Sequence, residues 1–192
     1  MKLKTLQIGL EWFPEQGGGL DRVYYDCSRH LPKVGVEVTG LVAGSLQVAR
    51  STKGQIQAFA PPDSSLLNRW SAVRKSFKQL ITQAEYNLIV SHFALYTFPL
   101  LSQLQNFPLV THFHGPWALE SGAESQNTAA VWLKKELEKT CYRRSCQFIV
   151  LSQTFRDILH QEYQVPIEQI NIVPGAVEID RFALNLTRDE AR

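Results

Sequence analysis

Apolar residues recur along this chain at two alternating periods. Short apolar runs with strand character are "TLQIGL" (5–10), "VEVTGLVA" (36–43), "QIQAFA" (55–60), "YNLIVSH" (86–92), "PLVTHFH" (108–114), "QFIVLS" (147–152) and "INIVPG" (170–175). Between them apolar positions fall three and four apart. Leu20, Val23, Tyr24, Cys27 and Leu31 share one helical face, and so do Leu66, Trp70, Val73, Phe77 and Leu80. Helices are also predicted around "LYTFPLLSQL", over 128–142 and over 155–163, whereas "GPWALESGAESQN" reads as a polar loop.

Strands that alternate with helices form βαβ units and therefore a parallel sheet. Runs such as "LQIGL", "NLIV" and "FIVL" suit strands covered on both faces. The predicted fold is α/β, a Rossmann-like doubly wound parallel sheet of about seven strands. It occupies residues 1–175, and residues 176–192 read as the start of an interdomain linker. In such sheets ligands sit beyond the carboxyl ends of the strands. That rule directs attention to residues 11–19, 43–45, 91–92, 112–115, Ser152 and 174–178.

Bulk composition narrows the function classes. The 192 residues are 44% hydrophobic and 20% charged, the balance of a globular domain. A net charge of +2 without a dense basic patch argues against a nucleic-acid partner. Three cysteines without CxxC spacing support neither a disulfide framework nor a zinc site, and suit a reducing cytoplasm. No apolar run approaches the length of a membrane span. Peripheral contact at the inner face of a membrane stays open, with the Trp70 helix and its Arg69, Arg74, Lys75 and Lys78 as the candidate surface.

"EQGGGLDRV" places Gly17, Gly18 and Gly19 between the first strand and the first helix. Backbone amides at a helix start attract anions, so phosphate is the natural ligand to consider. The spacing is not GxGxxG, and the second strand closes with "VAGS", without an acidic residue for a ribose. The GxxxxGK[ST] pattern is also absent, which excludes a P-loop. His112 and His114 lie two apart on one strand face, which permits a metal pair. No third ligand has matching spacing, so no metal is expected.

Four stretches, in order, resemble the N-terminal domain of the GT-B glycosyltransferases of family 4, group 1. They are "FPEQGGGLDRVYYDCSRHLPKVGVEVTGLV", "YNLIVSHFALYTFPLL", "FPLVTHFHGPWALES" and "YRRSCQFIVLSQTFRDIL" with "INIVPGAVEIDRF". The resemblance implies a retaining, nucleotide-sugar-dependent enzyme with two Rossmann-like domains. This chain would supply the acceptor side, in polysaccharide biosynthesis. It further implies that the donor-binding C-terminal domain is absent here, that this part alone is inactive, and that no cofactor is needed beyond the donor. Partners would be the nucleotide sugar and a glycan or lipid-linked acceptor.

The resemblance also assigns roles. Gly17, Gly18 and Gly19 match the loop that approaches the donor phosphate and acceptor, and His114 matches the histidine of the family's "HG". Glu11, Asp21, His92 and Trp117 are placed to meet an acceptor. Two alternatives remain: a Rossmann-like binding module that catalyses nothing, and an inverting transferase or epimerase of the same architecture. The glycine loop is expected to be exposed and mobile.

Overall fold

The computed structural model describes residues 2–124 and 128–176. The chain runs β1 (Lys4–Ile8), α1 (Gly19–His30), β2 (Glu37–Ala43), α2 (Gln47–Ser51), β3 (Ile56–Ala60) and α3 (Leu66–Gln83). It continues with β4 (Leu88–Ser91), α4 (Ala94–Thr97), β5 (Leu109–Phe113), α5 (Trp117–Glu124), α6 (Thr128–Arg144), β6 (Gln147–Val150), α7 (Gln153–Tyr163) and β7 (Ile170–Ile172). All seven strands form one parallel sheet in the order β3-β2-β1-β4-β5-β6-β7. The order reverses between β1 and β4. The α/β, doubly wound expectation therefore holds, strand for strand.

Alternation along the strands sorts the two faces. On one face Leu6, Ile8, Leu41 and Ala43 pack with Val73 and Phe77 of α3. On the other, Val38 and Val42 pack with Tyr24 of α1 and Trp12. A third cluster joins Phe113, Phe148 and Val150 to Leu137, Cys141 and Tyr142 of α6 and Leu159 of α7. Ser152 caps α7 by accepting a hydrogen bond from Phe155 N at 3.3 Å.

Two segments depart from the expected pattern. The loop predicted over "GPWALESGAESQN" contains α5, which begins at Trp117. Its eight residues include Gly122 and two acidic side chains, and they lack a long apolar repeat. Packing against α6 supplies the missing stability. The five-residue α2 was also unforeseen, because one buried side chain, Val48, leaves no periodic signature. The predicted linker over 176–192 lies outside the described residues except for Ala176.

Tyr24 positions α1 against the sheet. Its ring is fully buried and fills space left by Gly9 and Gly40. A methyl group on Gly40 would lie 2.0 Å from the Tyr24 hydroxyl and 2.7 Å from Ile56 Cδ1. Gly40→Ala is therefore expected to destabilise the domain by about 1–3 kcal/mol, the usual range for overpacking. At roughly 2–4 °C per kcal/mol for a domain of this size, thermal unfolding followed by circular dichroism should show the loss. An unchanged melting temperature would contradict this packing.

Candidate functional site

Strands β1, β4 and β5 end side by side, and their exits build a cleft of about 420 Å³. Ser91 pairs with Thr111 in register, so His92 and His112 leave neighbouring strands at the same level. The cleft is lined by Gly19 and Leu20 of α1, by His92, His112 and His114, and by Trp117 and Glu120 of α5. This is the carboxyl edge beside the order reversal, where the topology rule places a ligand.

The three histidines form one cluster. His112 and His114 stack with ring centroids 4.3 Å apart, and His92 stacks on His114 at 5.3 Å. Tyr24 closes the inner side by meeting the His92 ring edge-on at 4.9 Å. His92 Nδ1 lies 3.1 Å from His114 Nε2, and His92 Nε2 lies 3.0 Å from Gln7 Oε1. Burial holds all three imidazoles neutral. It lowers His112 to about 4 and, with the like-charged neighbours adding to it, pushes His92 and His114 well below the usual histidine value.

One ring nitrogen from each histidine lies within 4.8 Å of the others, a proximity that a divalent transition metal could use. His92 is the third ligand that spacing within the sequence did not reveal, because it arrives from a different strand. In this structure His92 Nδ1 is engaged by His114 Nε2, and His92 Nε2 by Gln7 Oε1.

The glycine loop and its acidic neighbours divide by role. Gly19 lines the cleft and opens α1, with Gly18 extended at the N-cap and no side chain capping the helix. Gly17 and Gly19 are exposed, while Gly18 is half-buried. A Cβ on Gly18 would lie 2.5 Å from Asp21 Oδ2. Asp21 itself is buried and accepts a hydrogen bond from Glu11 N at 2.9 Å, which folds the loop back onto the helix. Burial raises its pKa. Asp21 thus serves the loop's own geometry. Glu11 is half-buried beside it and does not line the cleft; burial and the Asp21 charge raise its pKa. Of the predicted acceptor contacts, the cleft gathers His92 and Trp117 and leaves Glu11 and Asp21 outside.

On the opposite wall, Gly115 adopts φ +148°, a conformation that side-chain-bearing residues rarely adopt. A Cβ there would also meet Glu120 Oε1 at 2.6 Å. Both facts explain the glycine after His114. Trp117 packs against Phe93, and Lys134 Nζ lies 4.7 Å from its ring centroid. The start of α5 is anchored by the buried Glu138, which accepts hydrogen bonds from Ala118 N, Tyr142 and Tyr163. Burial raises the Glu138 pKa against those hydrogen bonds. Gln7, Glu120 and Glu138 were not anticipated. The available signal for Gln7 was a lone polar residue inside the apolar run "LQIGL"; Glu138 stands among the charged residues of "LKKELEKTC", where nothing singles it out.

Two of the four basic side chains on the helix considered for membrane contact are engaged by the protein itself. Arg69 donates to the Tyr96 hydroxyl, and Arg74 donates to the Pro99 carbonyl. Trp70 packs on the core. No helix among the described residues is long and apolar enough to cross a membrane.

The model of the family "Glycosyltransferase Family 4" matches residues 17–181, from the glycine loop to beyond β7. The chain belongs to glycosyltransferase family 4. Among solved structures this family 4 domain is similar to sucrose-phosphate synthase from Thermosynechococcus elongatus, with TM-score 0.67, 14% identity and coverage of 93% of this chain and 49% of that one. It is also similar to Anabaena HepE in complex with UDP-glucose, with TM-score 0.64, 16% identity and coverage of 93% and 45%. UDP-GlcNAc 2-epimerase from Neisseria meningitidis bound to UDP-GlcNAc has the same fold at TM-score 0.58 and 11% identity, covering 88% and 45%. The chain spans about half the length of the solved structures it matches. Among curated proteins no sequence matches. The neighbours establish the N-terminal half of the GT-B architecture.

The neutral histidines make the family 4 domain acid-sensitive in a defined window. The folded state holds His112 near 4, whereas the unfolded chain takes its proton near 6.5. Between those values the unfolded state binds more protons, so this contribution to stability is present above about 6.5 and is lost as pH falls toward 4. Wild type is expected to lose on the order of 3 kcal/mol relative to His112→Phe across that window. Urea unfolding at several pH values measures the difference, and parallel profiles would contradict a buried neutral His112.

Proposed function

We propose that this domain is the acceptor-side half of a retaining glycosyltransferase. The complete enzyme moves a sugar, as a hexosyl group, from a nucleotide-sugar donor to a glycan or lipid-linked acceptor in polysaccharide biosynthesis. The observation that carries this reading is the cleft at the carboxyl edge of a family 4 sheet, with Gly19 on one wall and His114 and Trp117 on the other.

Each wall suits a different part of the substrates. Amides at the uncapped start of α1 favour a diphosphate, which gains negative charge as its bond to the sugar breaks. His114, neutral and set in the cleft wall, accepts a hydrogen bond from a sugar hydroxyl. Trp117 offers an apolar ring to a sugar face. His92 supports His114 from behind, so its role is positional. The nucleotide itself belongs to a second Rossmann-like domain across the cleft, so the chemistry needs both halves. The donor is a substrate, and no metal or other cofactor enters this account. The protein acts in the cytoplasm, at or near the inner face of a membrane when the acceptor is lipid-linked.

The epimerase neighbours share this sheet, and the family 4 match from residue 17 to residue 181 favours transfer over epimerisation. Product analysis by NMR separates transfer with retention, transfer with inversion and epimerisation. In the complete enzyme His114→Ala is expected to lower kcat/KM by about 10- to 100-fold, the equivalent of about 1.4–2.7 kcal/mol for one lost polar contact. The 192-residue chain alone is expected to transfer no sugar. Unchanged kinetics in His114→Ala, or turnover by the isolated chain, would overturn the assignment.

A further inference from the structure

Buried hydrogen bonds fix proton positions when one end of the chain of bonds has no choice. Here that end is the Glu37 backbone carbonyl, which can only accept. The Thr5 hydroxyl donates to it at 3.1 Å, using its single proton. Thr5 Oγ1 must therefore accept in its 3.3 Å contact with Gln7 Nε2. That contact turns the Gln7 amide oxygen toward His92 Nε2, 3.0 Å away. An amide oxygen only accepts, so His92 Nε2 carries the proton.

The same logic passes to the next ring. A neutral imidazole with its proton on Nε2 has a lone pair on Nδ1. His92 Nδ1 lies 3.1 Å from His114 Nε2, which must then be the donor. His114 Nδ1 is left as a lone pair, and it is buried without a hydrogen-bond partner. Gln7 and His92 are themselves 1% and 4% exposed, so no solvent competes for these contacts. Burial independently keeps both rings neutral, which the relay requires.

We infer that Gln7 is a positioning residue that sets the tautomer of His114 through His92, so that His114 meets its ligand only as a hydrogen-bond acceptor. Both nitrogens are then assigned: Nε2 donates to His92, and Nδ1 has a lone pair and nothing to donate. A phosphate oxygen, which has no proton to give, is a poor partner for that lone pair. The inference rests on reading the cleft as a sugar site, and it divides the cleft by chemistry. Anionic oxygen belongs to the glycine-loop wall, and hydroxyl oxygen belongs to the His114 wall.

The test reads protons directly on the 15N-labelled 192-residue chain, with no need for transfer activity. Long-range 1H–15N spectra report the tautomer of each ring, and His92→Phe, His112→Phe and His114→Phe assign the signals. The expected result is a protonated Nε2 and an unprotonated Nδ1 on both His92 and His114. A through-hydrogen-bond 15N–15N coupling should join His114 Nε2 to His92 Nδ1, with the proton on His114. Gln7→Met keeps the volume and removes both hydrogen bonds, and it should cost the coupling and the single tautomer. A proton on His114 Nδ1, or no coupling between the rings, overturns the inference from the wild-type spectrum alone, even if Gln7→Met does not fold. A folded Gln7→Met with an unchanged spectrum overturns the role of Gln7. Loss of transfer activity in the complete enzyme is a separate outcome that bears only on the functional reading.

Discussion

A row of polar side chains crosses the sheet under α1, and the site depends on it. Thr5 and Gln7 alternate with Leu6 and Ile8 on β1, so they face α1 while the apolar pair faces α3. Polar groups buried without partners cost free energy that a marginally stable domain cannot spare. This row meets that constraint by bonding sideways, from the β2 backbone through Thr5 and Gln7 to His92 and His114. The partners stand on four neighbouring positions of the sheet, so the strand register holds the site. A slip of one residue in β1 would exchange Gln7 for Leu6 or Ile8 and leave His92 unsupported.

Topology turns that row into a cleft. The order reverses between β1 and β4, so the connections after these strands diverge and leave a crevice above His92. One wall is the start of α1, held by the Tyr24 ring and the Asp21 contact with Glu11. The other is the turn at Gly115 and the start of α5, held from behind by Glu138. Each wall therefore has its own buried anchor, which keeps reactive positions on short, constrained segments. Family membership places this geometry in the N-terminal half of the GT-B architecture, and the chain covers about half of each solved neighbour.

Much of the fold was legible in the sequence. Buried parallel strands declare themselves as unbroken apolar runs, and α1 and α3 have strong helical periodicity, so seven strands and the long helices were placed near their observed bounds. Elements that depend on tertiary support were not legible. α5 has no repeat of its own and exists because α6 and Glu138 receive it. The site was half legible. Gly19, His92, His114 and Trp117 gather at the cleft, while Asp21 proved to be an internal strut and Glu11 stayed beside it. Linear spacing could not show that His92 stacks on His114, because 22 residues and a strand crossing separate them. Gln7 is one polar residue in an apolar strand, and its purpose appears only when its neighbour across the sheet is known.

The central claim is that the cleft divides its ligands by hydrogen-bond character, with phosphate at the glycine loop and a sugar hydroxyl at His114. A high-resolution crystal structure of the complete enzyme with an intact nucleotide sugar tests it most directly. The account predicts a sugar hydroxyl seated on the His114 side of the cleft and diphosphate oxygens facing the amides at the start of α1. A phosphate oxygen seated on His114, or a sugar bound away from this edge of the sheet, would contradict it.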